Sequence, residues 1–478
     1  MGNAWTQFLT GGRKTMATEA ENAVKTLVEQ ALAGTDLVKA DVLDTINAMI
    51  ARLDKKLSAQ MNDIMHAPEF QQIESAWRGL KYLVFHSGTD AMLKIRVMNV
   101  SKDELSRELL QFTDSRWDES PLFRKIYEET FGQLGGEPYG CLIGDYYFNH
   151  MPTDVQLLLA LSKIAGAAHA PFFAAADSTL MGMDSWSELM NQRDLSKLFN
   201  TPEYAAWRSL RDSDDAKYVG LCMPRVLARL PYGTHAEPVE EFAFEEDNYG
   251  DKGEKYAWMN AAYAMAANVN RAFIEHGWCA RICGVQSGGE VEDLPSHIFA
   301  TDDGSVDLRC PTEIAISHRR EAEFADFGLI PLIHGKNTDG AVFVGAQSLA
   351  KPKIYQFNPE ATASSRLACQ LPLLFACCRF AHYLKVMVRD KVGSYYEKEQ
   401  LEKWLTNWIS EYVDDDPKSS SEATKCSRPL AGAKISIVLS EENPGYYSAT
   451  FELRPHFQLE GNIGLHLVSR FPRAIKMA

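Results

Sequence analysis

The chain has 478 residues, of which 46% are apolar and 24% charged, values near the globular average that leave no room for extensive disorder. At roughly 150 residues per domain this length implies two or three structural units. A formal net charge of -15 makes the average surface repel phosphate backbones and anionic lipid heads, which argues against nucleic acid as a main partner and against direct membrane insertion.

The nine cysteines lack CxxC spacing, and Cys222, Cys369, Cys377 and Cys378 sit among apolar neighbours. They read as small buried hydrophobes of a reducing compartment. The most apolar stretch, 157–176, is broken by Lys163, His169 and Pro171 and cannot cross a bilayer as one helix. The first residues lack the pattern of a secretory signal, so a cytoplasmic chain is expected.

Residues 1–65 read as a helical arm. A capping box, Thr18 with Glu21, opens a first helix that Gly34 ends. In the second, Leu43, Ile46, Ile50, Leu53, Leu57, Met61 and Ile64 recur at steps of three and four. Such a stripe needs a partner, either the chain's own body or a helix of another chain. Pro68 opens a third helix whose face carries Phe70, Ile73, Trp77, Leu80 and Val84, and Gly88 closes it.

Leu93, Ile95 and Val97 then alternate with Lys94 and Arg96, the period of a half-buried strand. Ser101 with Glu104 caps the next helix, and Ser120-Pro121 starts another that ends near Gly132. A strand over 139–143, a helix over 154–168, a strand over 172–176, two helices reaching Leu210 and a strand over 218–222 follow. That alternation predicts a layered α/β domain with helices on a mixed sheet.

Residues 231–255, rich in Gly, Pro, Glu and aromatics, read as a long irregular connection. A helix over 256–276 and a strand over 278–283 come next, and Asp303-Gly304 and Asp339-Gly340 are hairpin turn signals. From Pro359 the chain is helical for about 50 residues, and Pro372 should kink or divide that stretch. A second helix carries Leu401, Trp404, Leu405, Trp408, Ile409 and Tyr412. After a polar linker, 414–421, strands are expected at 435–439, 447–453 and 463–468; strands at a chain end can add to a neighbour's sheet.

No catalytic pattern has adequate context. GxxxxGK[ST], GxSxG and HExxH are absent, and the glycines of 284–289 fail the GxGxxG spacing. The histidines show no zinc-ligand spacing, Cys279 and Cys283 read as packing, and Asp302, Asp303 and Asp307 miss the EF-hand pattern. No metal or other cofactor is implied. Asp212, Asp214 and Asp215, followed by Arg225 and Arg229, allow two readings: an acid/base or anion site, or loop charges joined in ion pairs across an interface.

Four long segments carry a resemblance: SLRDSDDAKYVGLCMPRVLARLPYG (209–233), PTEIAISHRREAEFADFGLIPLIHGKNTDGAVFVGAQSLAKPK (311–353), RFAHYLKVMVRDKVGS (379–394) and PGYYSATFELRPHFQLEG (444–461). Together they resemble the large sheath subunit of bacterial type VI secretion systems, over most of the chain from about Leu53. The resemblance implies a phage-tail-sheath-like α/β core with helices on mixed sheets, a helical N-terminal arm and a strand-rich C-terminal region, divided as 1–65, 66–358 and 359–478. It implies a structural protein and no enzyme, pairing with a small sheath subunit and polymerising helically with copies of itself around an inner tube that contraction expels. A baseplate and an AAA+ unfoldase, which engages mainly the small subunit, complete the implied partners.

On that match Ser436, Val438, Ala449, Phe451, Leu453, Leu465 and Leu467 are candidate inter-subunit strand residues. Leu43, Ile46, Ile50, Leu53 and Leu57 are the candidate partner face of the arm, and Asp212, Asp214, Asp215, Arg225 and Arg229 are candidate interface charges. The alternatives are the sheath of a phage-tail-like contractile injection particle, and a hydrolase centred on Asp212 to Arg229.

Overall fold

The computed structural model describes residues 42–472 except 113–115, 132, 134, 191–194, 196, 234–235, 241, 249–252, 301–305, 336–339, 391–397, 418, 440–445 and 457–464. The helix expected between Thr18 and Gly34 lies outside the described residues. Two compact units are distinguished: residues up to Glu74 with Arg229–Ala257, and Ser75–Ala228 with the chain from Trp258 onward.

In the first unit the periodic stripe forms one helix, α1 (Val42–Met65), and Pro68 opens α2 (Pro68–Phe85), which continues into the second unit. Met65 is buried, whereas Ile46, Ile50, Met61 and Ile64 are exposed. The 229–257 connection is irregular, as its composition implies. Asn62 of α1 fastens to it by donating to the Glu245 carbonyl (3.0 Å) and accepting from the Asp247 amide (2.8 Å).

In the second unit, α2 packs through a face the sequence did not single out. Gly79 and Leu83 are buried, and the missing Cβ of Gly79 lets the Tyr263 ring lie against the helix. Trp77 and Val84 of the expected apolar face are exposed, Trp77 by 69%, as is Ile73 on the first-unit part of the helix. Residues 93–97, read as a strand, run without one. The capping box forms as expected: the Ser101 side chain accepts from the Glu104 amide and starts α3 (Lys102–Leu109).

A six-stranded sheet organises the unit in the order β1 (Leu142–Phe148), β2 (Phe172–Ala176), β3 (Val219–Met223), β9 (Leu329–His334), β10 (Ala341–Phe343), β6 (Glu290–Val291). The first four strands run parallel, and β10 is antiparallel to both of its neighbours. The central strands are buried on both faces. Phe172, Ala174, Val219, Leu221 and Met223 point into a cluster with α4 (Pro152–Ala168) and α5 (Ala205–Arg211); Phe173, Cys222, Ile330 and Leu332 point into the other, with α6 (Ala261–His276). Continuous apolar runs such as FFAAA and VGLCM are what a parallel strand covered on two sides requires. This is the mixed α/β architecture expected from the alternation of elements.

Some elements depart from expectation. The helix over 256–276 starts later, at Ala261, because the Asn260 side chain caps it at the Ala262 amide, while β5 (Trp258–Met259) pairs with β4 (Val226–Leu227). The strand expected over 278–283 does not form: Gly277 ends α6 with φ 74°, after which Trp278 and Ile282 enter different apolar clusters. The apolar residues there serve two cores and not a ladder. Both hairpin signals lie between paired strands, β7 (His297–Ala300) with β8 (Val306–Arg309) and β9 with β10, although Asp303, Gly304 and Asp339 are outside the described set.

C-terminally, α7 (Pro359–Ala368) and α8 (Leu371–Asp390) are separate, with Pro372 in the first turn of the second, so the proline divides the helical stretch as expected. After α9 (Lys398–Ser410) comes a three-stranded antiparallel sheet, β11 (Leu430–Leu439), β12 (Tyr446–Pro455) and β13 (Leu465–Pro472), with β12 in the middle.

Candidate assembly surfaces

The C-terminal sheet is built on β12. Alternation sends Ala449, Phe451 and Leu453 inward, all at most 1% exposed, against Phe380 and Leu384 of α8 and Leu401, Leu405 and Ile409 of α9. Phe451 sits opposite Ile435 on one side and Leu467 on the other; Leu453 sits opposite Ala433 and Leu465. Ser436 and Val438 lie on β11 opposite Thr450 and Ser448, both exposed, Val438 by 56%. The candidate strand residues therefore divide into an inward set on β12 and an outward pair on β11, with Leu465 and Leu467 on β13. Within this sheet β11 and β13 each have β12 as their one neighbour; among the described residues the outer edge of β11 is bridged only at Leu430, to Val413, and beyond it both outer strands present edge donors and acceptors.

The sheet is locked to the preceding linker. The Asp414 amide donates to the Leu430 carbonyl (2.8 Å), and the imidazole of His456 lies 3.6 Å from the Asp414 carboxylate, both side chains buried. On α1, Ile46 and Ile50 are half exposed, Leu53 and Leu57 are partly covered, and the Leu43 side chain is outside the described residues.

The five candidate interface charges do not converge. Asp212 ends α5 as its exposed C-cap. Asp214 pairs with Lys353 at 3.0 Å, which holds its carboxyl below the usual range, and Asp215 lies in the short turn before β3. Arg225 makes a two-pronged pair with Glu313 (2.9 and 2.7 Å). Burial works against the Arg225 charge, but the Glu313 carboxylate outweighs it and raises the arginine's pKa.

Arg229, in the first unit, grips two carboxylates: Glu74 at 2.6 and 3.2 Å and Glu246 at 2.6 and 2.9 Å. Its side chain is 5% exposed, Glu246 also accepts from the Tyr232 amide (2.8 Å), and the guanidinium lies over the Tyr232 ring. Sequence reading flagged Arg229 but not its partners, because Glu74 lies 155 positions away. Among the described residues no two of the five charges pair with each other.

A second buried polar group was not read from the sequence. The Lys385 ammonium and His382 imidazole of α8 bond to the last carbonyls of α4, Ala167 (3.1 Å) and Ala168 (2.9 Å). Burial lowers the pKa of His382 to about 4, of neighbouring His169 to about 3, and of Lys385 to about 8. Among the described residues no group of three or more His, Cys, Asp or Glu could hold a metal ion, and no helix is long and apolar enough to cross a membrane. The expected buried thiols are buried: Cys222, Cys369, Cys377 and Cys378.

Two family models cover nearly all of the described chain: the EvpB/VC_A0108 tail sheath N-terminal domain over residues 47–350 and the EvpB/VC_A0108 tail sheath gpW/gp25-like domain over 360–471. The chain belongs to the VipB tail-sheath family. A relative in Pseudomonas aeruginosa described as type VI secretion system sheath protein TssC1 is 60% identical over 455 residues, 95% of this chain and 91% of the relative. Among solved structures, a chain of the anti-feeding prophage baseplate aligns over 81% of this chain and 80% of its own length, with 11% identity and a TM-score of 0.32. That likeness is too weak to carry an argument.

Proposed function

We propose that the chain is the large subunit of a type VI secretion contractile sheath, acting as a polymerised structural element. The 60% identity to a type VI sheath protein across nearly the whole length of both chains carries this reading and favours it over a phage-tail-like injection particle. In the assembly the chain pairs with a small sheath subunit, stacks helically with copies of itself around an inner tube, and meets a baseplate. An AAA+ unfoldase dismantles the contracted sheath, mainly through the small subunit. All of this takes place in the bacterial cytoplasm.

The working parts are the residues 1–65 as an arm, 66–358 as the sheath core and 359–478 as helices and inter-subunit strands; the last boundary falls in the gap between the two family segments. The outward residues Ser436 and Val438 and the outer edges of β11 beyond Leu430 and of β13 suit strand addition by a neighbouring chain, while Ala449, Phe451 and Leu453 hold the sheet on its helices. Leu43, Ile46, Ile50, Leu53 and Leu57 of α1 supply the face for a partner helix. Asp214, Arg225 and Arg229 serve as structural ion-pairing groups, and Asp212 and Asp215 as helix-terminal and turn charges; the separate partners of the first three favour this over a hydrolase.

Contacts that do not close on themselves generate helical filaments. Contraction is then a collective change between two packings of the same subunits, with free energy stored at assembly and no nucleotide turned over by this chain. Electron microscopy of the chain co-expressed with the small protein encoded beside it is expected to show hollow tubes, and Val438→Lys to shorten or abolish them while leaving the subunit folded. Discrete particles under all conditions, or an ATPase activity intrinsic to the purified chain, would overturn the reading.

A further inference from the structure

Between α2 and α3 the chain has the sequence alternation of a strand but forms none. From Lys94 to Asn99 no backbone N–H or C=O makes a hydrogen bond within the described structure. The segment is nevertheless held at both ends. Asp90 accepts from the amides of Met92 and Leu93 (2.6 and 2.8 Å), and the Val100 carbonyl accepts from the Tyr146 hydroxyl (2.8 Å) just before the Ser101 capping box.

Side chains fix it between these anchors. Lys94 and Arg96 both pair with Glu137, and Ile95 packs in one cluster with Leu80 and Leu83 of α2 and Ile143 of β1. The segment thus flanks β1, the terminal strand of the six-stranded sheet, with no ladder bond joining the two. Six consecutive residues, which at strand rise would span about 20 Å, offer an unpaired row of donors and acceptors. Main-chain groups in such a row specify an extended polypeptide as their complement, which neither a helix nor a small molecule supplies.

The flanking surface points the same way. Met92 is 74% exposed, Val97 69% and Met98 48%, and the adjoining helix exposes Trp77 (69%), Val84 (40%) and Phe85 (77%). Scattered exposed apolar residues are ordinary, but this many on one segment and the helix it packs against mark an interaction surface. So apolar a face suits a permanent partner that joins before polymerisation, as obligate interfaces are the more hydrophobic class.

We propose that residues Leu93–Asn99 become a strand in the assembled sheath by pairing, main chain to main chain, with an extended segment of the small sheath subunit. This rests on the function proposed above and identifies where that partner binds.

Hydrogen exchange on the complex of the chain with its small subunit tests it. The amides of Lys94–Asn99 are expected to exchange at least a hundredfold more slowly than in an unstructured peptide of the same sequence. Val97→Pro removes an N–H that is unbonded in the lone chain and an exposed side chain, so the lone fold should tolerate it. It is expected to reduce recovery of the complex at least tenfold, while Val97→Thr stays within twofold. Fast exchange at 94–99 in a complex whose Glu104–Leu109 amides are protected, or normal complex formation by Val97→Pro, would overturn the pairing and leave the sheath function standing. A photo-crosslinking residue at position 97 that captures a second copy of this chain, and not the small subunit, would overturn the choice of partner. If the wild-type chain forms no complex with the small subunit, the functional reading fails, and the pairing with it.

Discussion

Replacing Arg229 with methionine isolates the clamp that joins α2 to the 229–257 connection within the first unit. The guanidinium is 5% exposed, and its partners Glu74 and Glu246 are 11% and 2% exposed, so the substitution leaves two carboxylates facing each other out of water. Truncating one member of a buried ion pair costs about 3–5 kcal/mol, most of it from the charge left unpaired. The Tyr232 amide, which donates to Glu246, reports on this locally, an advantage in a chain of two units where a single unfolding free energy is poorly defined. At about 1.4 kcal/mol per factor of ten, its exchange should speed up by roughly two to three and a half orders of magnitude. The triple variant Glu74→Gln, Arg229→Met, Glu246→Gln should recover most of the protection, because an uncharged replacement of similar volume avoids the desolvation cost. An acceleration below tenfold in the single variant, or a triple variant no better protected than the single, would refute the reasoning.

Phe451→Ala empties a site with no exposed surface between the C-terminal sheet and α8 and α9, and should cost about 3–5 kcal/mol in denaturant unfolding of that region. Ser101→Ala removes the cap of α3 and should lower its stability by about 1 kcal/mol, visible as faster exchange at the Glu104 and Leu105 amides. Acid should weaken the contact between α4 and α8: with the folded pKa of His382 near 4 against 6.5 unfolded, the unfolded chain takes up the proton first as pH falls. Stability is then lost between pH 6.5 and 4, by about 3 kcal/mol from this group, and His382→Gln should flatten that limb of a melting-temperature profile.

What could be read from the sequence was set by how local its causes are. Ser101 with Glu104, Pro121, Pro372 and the runs FFAAA and VGLCM act within a few residues of themselves, and each produced the expected element. The stripe from Leu43 to Ile64 gave its helix for the same reason. Periodicity, however, says that a face is apolar and not what covers it. On α2 the side turned inward was chosen by Gly79 and the Tyr263 ring, 184 positions apart, and the larger stripe stayed outside. Likewise Leu93, Ile95 and Val97 carry the alternation of a strand, but a strand exists only with a neighbour, and no neighbour is encoded nearby. The charges from Asp212 to Arg229 looked like one cluster because they are close in sequence; their partners, Lys353, Glu313, Glu74 and Glu246, are chosen by the fold.

The helix α8 has a mechanical consequence. Its first half, Leu371, Leu374, Phe375 and Cys378, is embedded beside the six-stranded sheet, and its second half, Phe380 and Leu384, lies under the C-terminal strands. A pull on the outer edge of β11 or β13 would therefore reach the central sheet along one stiff rod, loaded lengthwise by its buried side chains. Sliding that rod would break many buried contacts at once, whereas peeling a strand breaks its ladder bonds one after another. If a neighbouring chain pairs with the C-terminal strands as proposed, these strands would be the tow point through which its displacement reaches the six-stranded sheet of the second unit.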